Sequence, residues 1–222
     1  MDRMSLSKLN TWEFCRGAFY EQYILGLNVY NPDFDFGKRY HKEVERYHLG
    51  EPYDAEFISH YTGTCDCTDK LSHPSYPANY FGEPAQVEIK YIHTFTHPMT
   101  RKELRLPFSM ILDGIRDEDL DDLKTSKIAW NQNMVDANKQ ATVYTYAYWQ
   151  KFGEIRPFKF NVVRKNPGPK TKPIDEWTTI RTVEDFANFF DEAERVIYDI
   201  QSATEYPCTC RNQAHALKGV NA

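Results

Sequence analysis

Asp113, followed nine residues later by Asp122-Leu123-Lys124, is the arrangement in this 222-residue chain best suited to chemistry. Two carboxylates so placed can lie on adjacent strands of a hairpin and converge on one cation. Hard cations such as Mg²⁺ or Mn²⁺ want oxygen ligands, chiefly carboxylates. Side chains alternate along a strand, so Asp122 and Lys124 share a face. Leu123 then turns to the core, and its carbonyl remains as a further ligand. Gly114 beside Asp113 lets another group approach the backbone closely. Hydrolysis of a phosphodiester calls for this set: a cation to activate water and offset charge, and a lysine to orient the water. A hairpin with solvated charges has the same letters, so the pattern takes its meaning from its company.

That company is an α/β chain. Residues 5–27 read as one helix capped by Ser5 or Ser7 and closed by Gly26. A second helix is expected from about Phe36 through His48, closed by Gly50. Residues 51–84, with four prolines and two cysteines, read as an irregular insertion. The segment 85–95 alternates like a strand, and 106–126 reads as two strands around a turn at Asp117–Asp119. A helix over 134–153, a strand over 156–165, a loop over 166–173 and an amphipathic helix over 182–202 follow. Thr182 with Asp185 resembles a capping box opening the last of these. From about residue 203 the chain reads as a tail. The layout is a central mixed β-sheet flanked by helices, a single domain from 1 to 222.

The net charge is −5, but charge is segregated. Six acids lie from Asp113 to Asp122, whereas 156–172 carries six basic residues and no acid. Arg156, Lys159, Arg164, Lys165, Lys170 and Lys172 could then line a path for nucleic-acid phosphates. No apolar run suits a membrane span, and no signal region opens the chain, so a cytoplasmic protein is expected. Five cysteines, an odd number, argue against a disulfide framework.

Several segments together resemble the RecB-like branch of the PD-(D/E)XK nuclease superfamily. They are SLSKLNTWEFCRGAFYEQY at the start, GKRYH from Gly37 to His41, ILDGIRDEDLDDLKTSK, and QATVY from Gln140 to Tyr144. They stand in the family's order. Met110 departs from the glycine usual three residues before the first aspartate. The resemblance implies a restriction-endonuclease-like core and a metal-dependent DNA nuclease, of the exonuclease type found in phage and CRISPR-associated systems. It makes Asp113 and Asp122 metal ligands, Lys124 the catalytic lysine, and His41 a further ligand, with Glu45 one turn on. Leu123 would contribute its carbonyl. Gln140, Tyr144 and Thr125 would touch substrate, and Glu88 is a second-tier acid. DNA is the implied partner, with a recombination or replication protein beside it, and an oligomer is left open.

Some relatives hold an iron–sulfur cluster with one cysteine near the N-terminus and three near the C-terminus. Cys15, Cys208 and Cys210 suit three of those positions, and the fourth lacks its cysteine. A zinc site built from Cys65, Cys67, Cys208 and Cys210 is an alternative, and no metal at all is the third reading. Rival functions are a structure-specific or nicking endonuclease and a catalytically silent DNA-binding subunit.

Overall fold

In a computed structural model, which describes residues 1–27, 32–55, 57, 86–115, 118–165, 174–208 and 210, five strands form one sheet. They are β1 (Gln86–His93), β2 (Phe108–Ile115), β3 (Leu120–Ser126), β4 (Phe158–Arg164) and β5 (Ile174–Thr179), in that spatial order. β3 and β4 run parallel, and the other neighbours are antiparallel. The mixed sheet expected from the sequence is present. Strand β5 is an addition to it. Only six residues long, it follows a Pro/Gly/Lys stretch, yet it pairs with β4 from Phe158↔Thr179 to Val163↔Ile174.

Parallel neighbours need a crossover. Two helices supply it: α4 (Gln132–Asp136) and α5 (Lys139–Phe152), where the sequence suggested one. The break at 137–138 is stabilised from both sides. Asn131 caps α4 by accepting the Met134 N–H at 3.0 Å. Asn138 caps α5 by accepting the Gln140 N–H at 2.9 Å. The buried Arg181 guanidinium donates to the Val135 and Asn138 carbonyls at 3.2 and 3.1 Å and so spans the break. Gly153, at φ +77°, ends α5 in the left-handed conformation glycine adopts without strain.

The N-terminal stretch is also not one helix. α1 (Leu6–Phe14) is capped by Ser5, and α2 (Arg16–Phe19) leads into a π-helical turn over Tyr20–Ile24. Cys15 between them is extended, with φ −162°. Its N–H closes α1 on Thr11 O, and its carbonyl opens the next turn by accepting Phe19 N–H. Helix α3 (Pro32–His48) starts four residues before Phe36.

Helix α6 (Val183–Ser202) carries the expected capping box. Thr182 Oγ1 accepts the Asp185 N–H, and Asp185 Oδ2 accepts the Thr182 N–H at 2.7 Å. α1, α5 and α6 pack together with Phe95, Phe108 and Met110. Tyr146 is sandwiched between Phe95 and Phe186, with ring centroids at 4.6 and 4.7 Å. On the other face of the sheet α3 brings Tyr40 and Val44 onto Leu123, Val163 and Ile174. Burial of such side chains contributes about 1.5–3 kcal/mol each.

Most of the insertion at 51–84, with Cys65 and Cys67, lies outside the described residues, as do Lys170 and Lys172. No helix among the described residues is long and apolar enough to cross a membrane.

Thr182→Ala removes the hydroxyl half of the capping box and leaves the backbone N–H of residue 182 on Asp185. It should lower stability by about 1 kcal/mol, which for a chain of this size is a fall of about 2–4 °C in Tm. Thermal unfolding followed by circular dichroism reads the change, and an unchanged Tm would show the cap to be idle.

Candidate active site

Backbone pairing between β2 and β3 is confined to Gly114↔Asp121 and Ile115↔Leu120. Beyond these pairs the strands part, and Asp113 bridges the opening. Its Oδ2 accepts the Leu123 N–H at 2.9 Å, so a carboxylate takes the donor that a continuing ladder would have used. β3 meanwhile keeps its full parallel ladder with β4, from Leu120↔Phe158 to Ser126↔Arg164. Asp122 is held rigidly by that ladder beside Asp113.

Asp122 is the buried centre of the group, 1% exposed. Gln140, in the first turn of α5, donates Nε2–H to Asp122 Oδ1. The Lys124 ammonium forms an ion pair with Oδ2, without the geometry of a directed hydrogen bond. Burial pushes the Asp122 carboxyl up to about 6; Lys124 opposes that rise and Asp113 adds to it. Leu123 turns its side chain into the core, as strand alternation requires, among Tyr40, Val44, Val163 and Ile174.

His41 reaches the group from α3, with Nδ1 3.5 Å from Asp113 Oδ2. The helix can lie this close because of Gly37, one turn earlier. A Cβ at Gly37 would come within 3.2 Å of Thr125 Oγ1. Thr125 is therefore set under α3. Tyr144, one turn after Gln140, is kept protonated by burial first, then by the charges of Asp122 and Asp113. Glu88 lies in β1 between Val87 and Ile89, which pair with Gly114 and Leu112, so its backbone runs across from Asp113. Glu45 is half-buried one turn beyond His41.

The donor set suits a hard cation. Two carboxylates and an imidazole neighbour one another, though their three ligand atoms do not all fall within 4.8 Å as the cysteine sulfurs do, and one oxygen of the buried carboxylate faces an ammonium. That oxygen is held by the Lys124 charge, and carboxylate oxygens are the donors a hard cation takes.

The basic segment behaves differently from its expectation. Arg156 pairs with Glu154 at 2.9 Å, Lys159 with Glu176 at 3.2 Å, and Arg164 with Asp175 at 2.6 Å. The carboxylates of β5 and the preceding loop neutralise it, so these three do not form an open cationic strip.

The cysteines divide. Cys15 Sγ lies 3.8 Å from Cys208 Sγ, and Cys208 Sγ 3.5 Å from Cys210 Sγ. The three sulfurs fall within 4.8 Å of one another. Tyr206 fastens the tail there by stacking on Tyr20 at 4.7 Å and meeting Trp12 edge-on. Gly17 makes room, since a Cβ would come 3.3 Å from the Cys208 Cα. The neighbouring sulfurs push the Cys208 thiol up to about 11.

A family model described as the PD-(D/E)XK nuclease superfamily matches residues 3–213. Among solved structures, a candidate exonuclease from Eubacterium rectale superposes with a TM-score of 0.54 at 15% identity, over 94% of this chain and 85% of that one. SSO0001 superposes with a TM-score of 0.49 at 14% identity, over 92% and 78%. No curated protein matches the chain in sequence.

Asp122 binds its proton more tightly folded than unfolded. Its contribution to stability is greatest below its ordinary value near 3.8 and is lost as pH rises through about 6. By pH 7 the buried charge costs roughly 3 kcal/mol. In metal-free buffer at pH 7, Asp122→Asn should therefore be more stable than the parent chain by up to about 3 kcal/mol, a figure already net of the Lys124 attraction. The gain should vanish near pH 4. Urea unfolding at both pH values tests this; a variant no more stable at pH 7 contradicts it.

Proposed function

Because this chain belongs to the PD-(D/E)XK nuclease superfamily, we propose that it is a metal-dependent deoxyribonuclease, acting as an exonuclease at DNA ends or in single strands. One observation carries the reading: side chains from α3, β2, β3 and α5 gather around the buried carboxylate of Asp122. A structural polar cluster has no need to bury a carboxylate with a lysine, a second carboxylate and an imidazole beside it.

Asp113, Asp122, His41 and the Leu123 carbonyl would hold Mg²⁺ or Mn²⁺. When bound, such a cation supplies a more acidic water and offsets charge on the phosphate. Gln140 fixes the rotation of the Asp122 carboxylate by donating to Oδ1, which leaves Oδ2 directed at Lys124. Lys124, tethered by that charge, orients the attacking water and stabilises the developing negative charge. Tyr144, held protonated beside both carboxylates, offers a donor to the substrate. Thr125 is a further substrate contact, and Glu88 a second-tier acid.

A structure-specific or nicking endonuclease is the alternative within the same chemistry. A silent DNA-binding subunit fits less well, since Asp113, Asp122 and Lys124 are all intact and assembled. End-labelled single- and double-stranded DNA, digested with Mg²⁺ or Mn²⁺ beside closed circles, separates these readings. Linear substrates should shorten while circles persist. Asp113→Ala and Lys124→Ala should each abolish cleavage with folding preserved by circular dichroism; full activity in either refutes the assignment.

The close approach of Cys15, Cys208 and Cys210 supports a second cofactor, zinc or an iron–sulfur cluster, pinning the tail to the N-terminal helices. With the Cys208 thiol protonated well above neutrality, binding must release protons and so tighten as pH rises. Elemental analysis and the visible spectrum of protein kept anaerobic decide: neither zinc nor iron refutes it.

A further inference from the structure

Many lysines and arginines of this fold are ion-paired. Lys102 and Arg105 share Glu194, Lys139 bridges Glu13 and Glu192, Arg39 meets Asp54, and the 156–164 cations are paired as described. Arg101 and Lys151 are exposed and have no carboxylate partner among the described residues. Both lie at one place, where the end of β1 meets the end of α5.

A pocket of about 350 Å³ opens there, lined by His93, Thr96, Arg101, Trp149 and Gln150 among others. Its walls are braced. Gln150 Oε1 receives the Thr96 N–H at 3.2 Å and lies 2.8 Å from His93 Nε2. Arg101 holds φ +61°, the one non-glycine residue with positive φ among the described residues. Side chains rarely adopt that conformation, and such residues gather at ligand sites. The turn that imposes it is tied down: His97 Nδ1 accepts the Met99 and Thr100 N–H groups at 3.0 and 3.1 Å, and the Arg101 N–H returns to His97 O. Lys151 sits beside this pocket, over the Tyr91 ring at 4.6 Å. An unneutralised arginine on a tied-down turn, a second cation and a partly exposed indole suit a phosphate with its base.

The pocket also lies at a useful distance. Ten helical residues separate Gln140 from Gln150, about 15 Å at about 1.5 Å each. A stacked strand with a phosphate about every 3.4 Å covers that in about five nucleotides. On the edge strand β1, between the pocket and the level of Asp113, Lys90 and Ile92 are exposed on the face opposite His93.

We propose that this pocket anchors the phosphates of a DNA strand whose scissile bond lies at Asp113 and Asp122, with Arg101 and Lys151 as the anchoring cations; the proposal rests on the deoxyribonuclease reading. The strand then follows the β1 edge, not the ion-paired 156–165 segment.

Fluorescence anisotropy with end-labelled single strands of four and sixteen nucleotides, in EDTA and across a salt series, tests it. For the sixteen-mer, R101E/K151E should weaken binding at least tenfold. The slope of log K against log salt should fall by about 0.7 for each phosphate no longer neutralised, about 1.4 for the two cations together. The four-mer should bind the variant and the parent alike, and Lys159→Gln should leave both slopes unchanged. An unchanged slope in R101E/K151E, or an equal loss for both lengths, overturns the anchor. Cleavage by the parent chain in Mg²⁺ is read in parallel. A parent that cleaves while the slope stays fixed refutes the anchor alone; a parent that neither binds nor cleaves refutes the nuclease reading with it.

Discussion

A carboxylate buried as deeply as Asp122 is the constraint to which the surrounding structure answers. Such a group is costly to ionise unless each oxygen meets a donor or a positive charge. Gln140 can reach it only because α5 begins at Asn138, and α5 begins there because Arg181 and the Asn138 side chain stabilise the break before it. Lys124 can reach it only because β3 stays extended along β4. The caps, the crossover and the parallel ladder thus all set the position of one side chain.

The parting of β2 from β3 is the complementary device. A hairpin paired along its whole length would spend its N–H groups on backbone carbonyls. Here the Leu123 N–H is given to Asp113 instead, which fixes the orientation of that carboxylate through one of its two oxygens. α3 closes the group from the far face, and Gly37 sets how near it comes. Backbone geometry, more than the identity of any loop, brings the acids together.

The candidate site was largely legible in the residues themselves. Asp113, Asp122 and Lys124 stood out through spacing along strands, and Gln140 with Tyr144 through spacing along a helix. These are local relations, and the chain's own periodicity displays them. What escaped was non-local. Nothing about Cys15 announces a helix break, and its sulfur meets a residue 193 positions away. The 134–153 helix looked continuous because Arg181, which stabilises the break, is far along the chain. Arg164 looked available until β5 laid Asp175 beside it. β5 itself was hidden because a short strand after a proline- and glycine-rich stretch has little pattern of its own. Cationic segments cannot be read as nucleic-acid paths before the acids across the sheet are known.

The meeting of Cys15 with Cys208 has a consequence for how the chain is made. It joins residues 193 positions apart, so it is among the last contacts a growing chain can form. On the ribosome, α1 and α2 emerge first, yet the surface around Cys15 stays uncovered until nearly the whole domain has followed. During that interval the buried thiol of the finished protein is open to solvent and to other chains. Closure of the fold is therefore also the moment at which the Cys15 sulfur is protected.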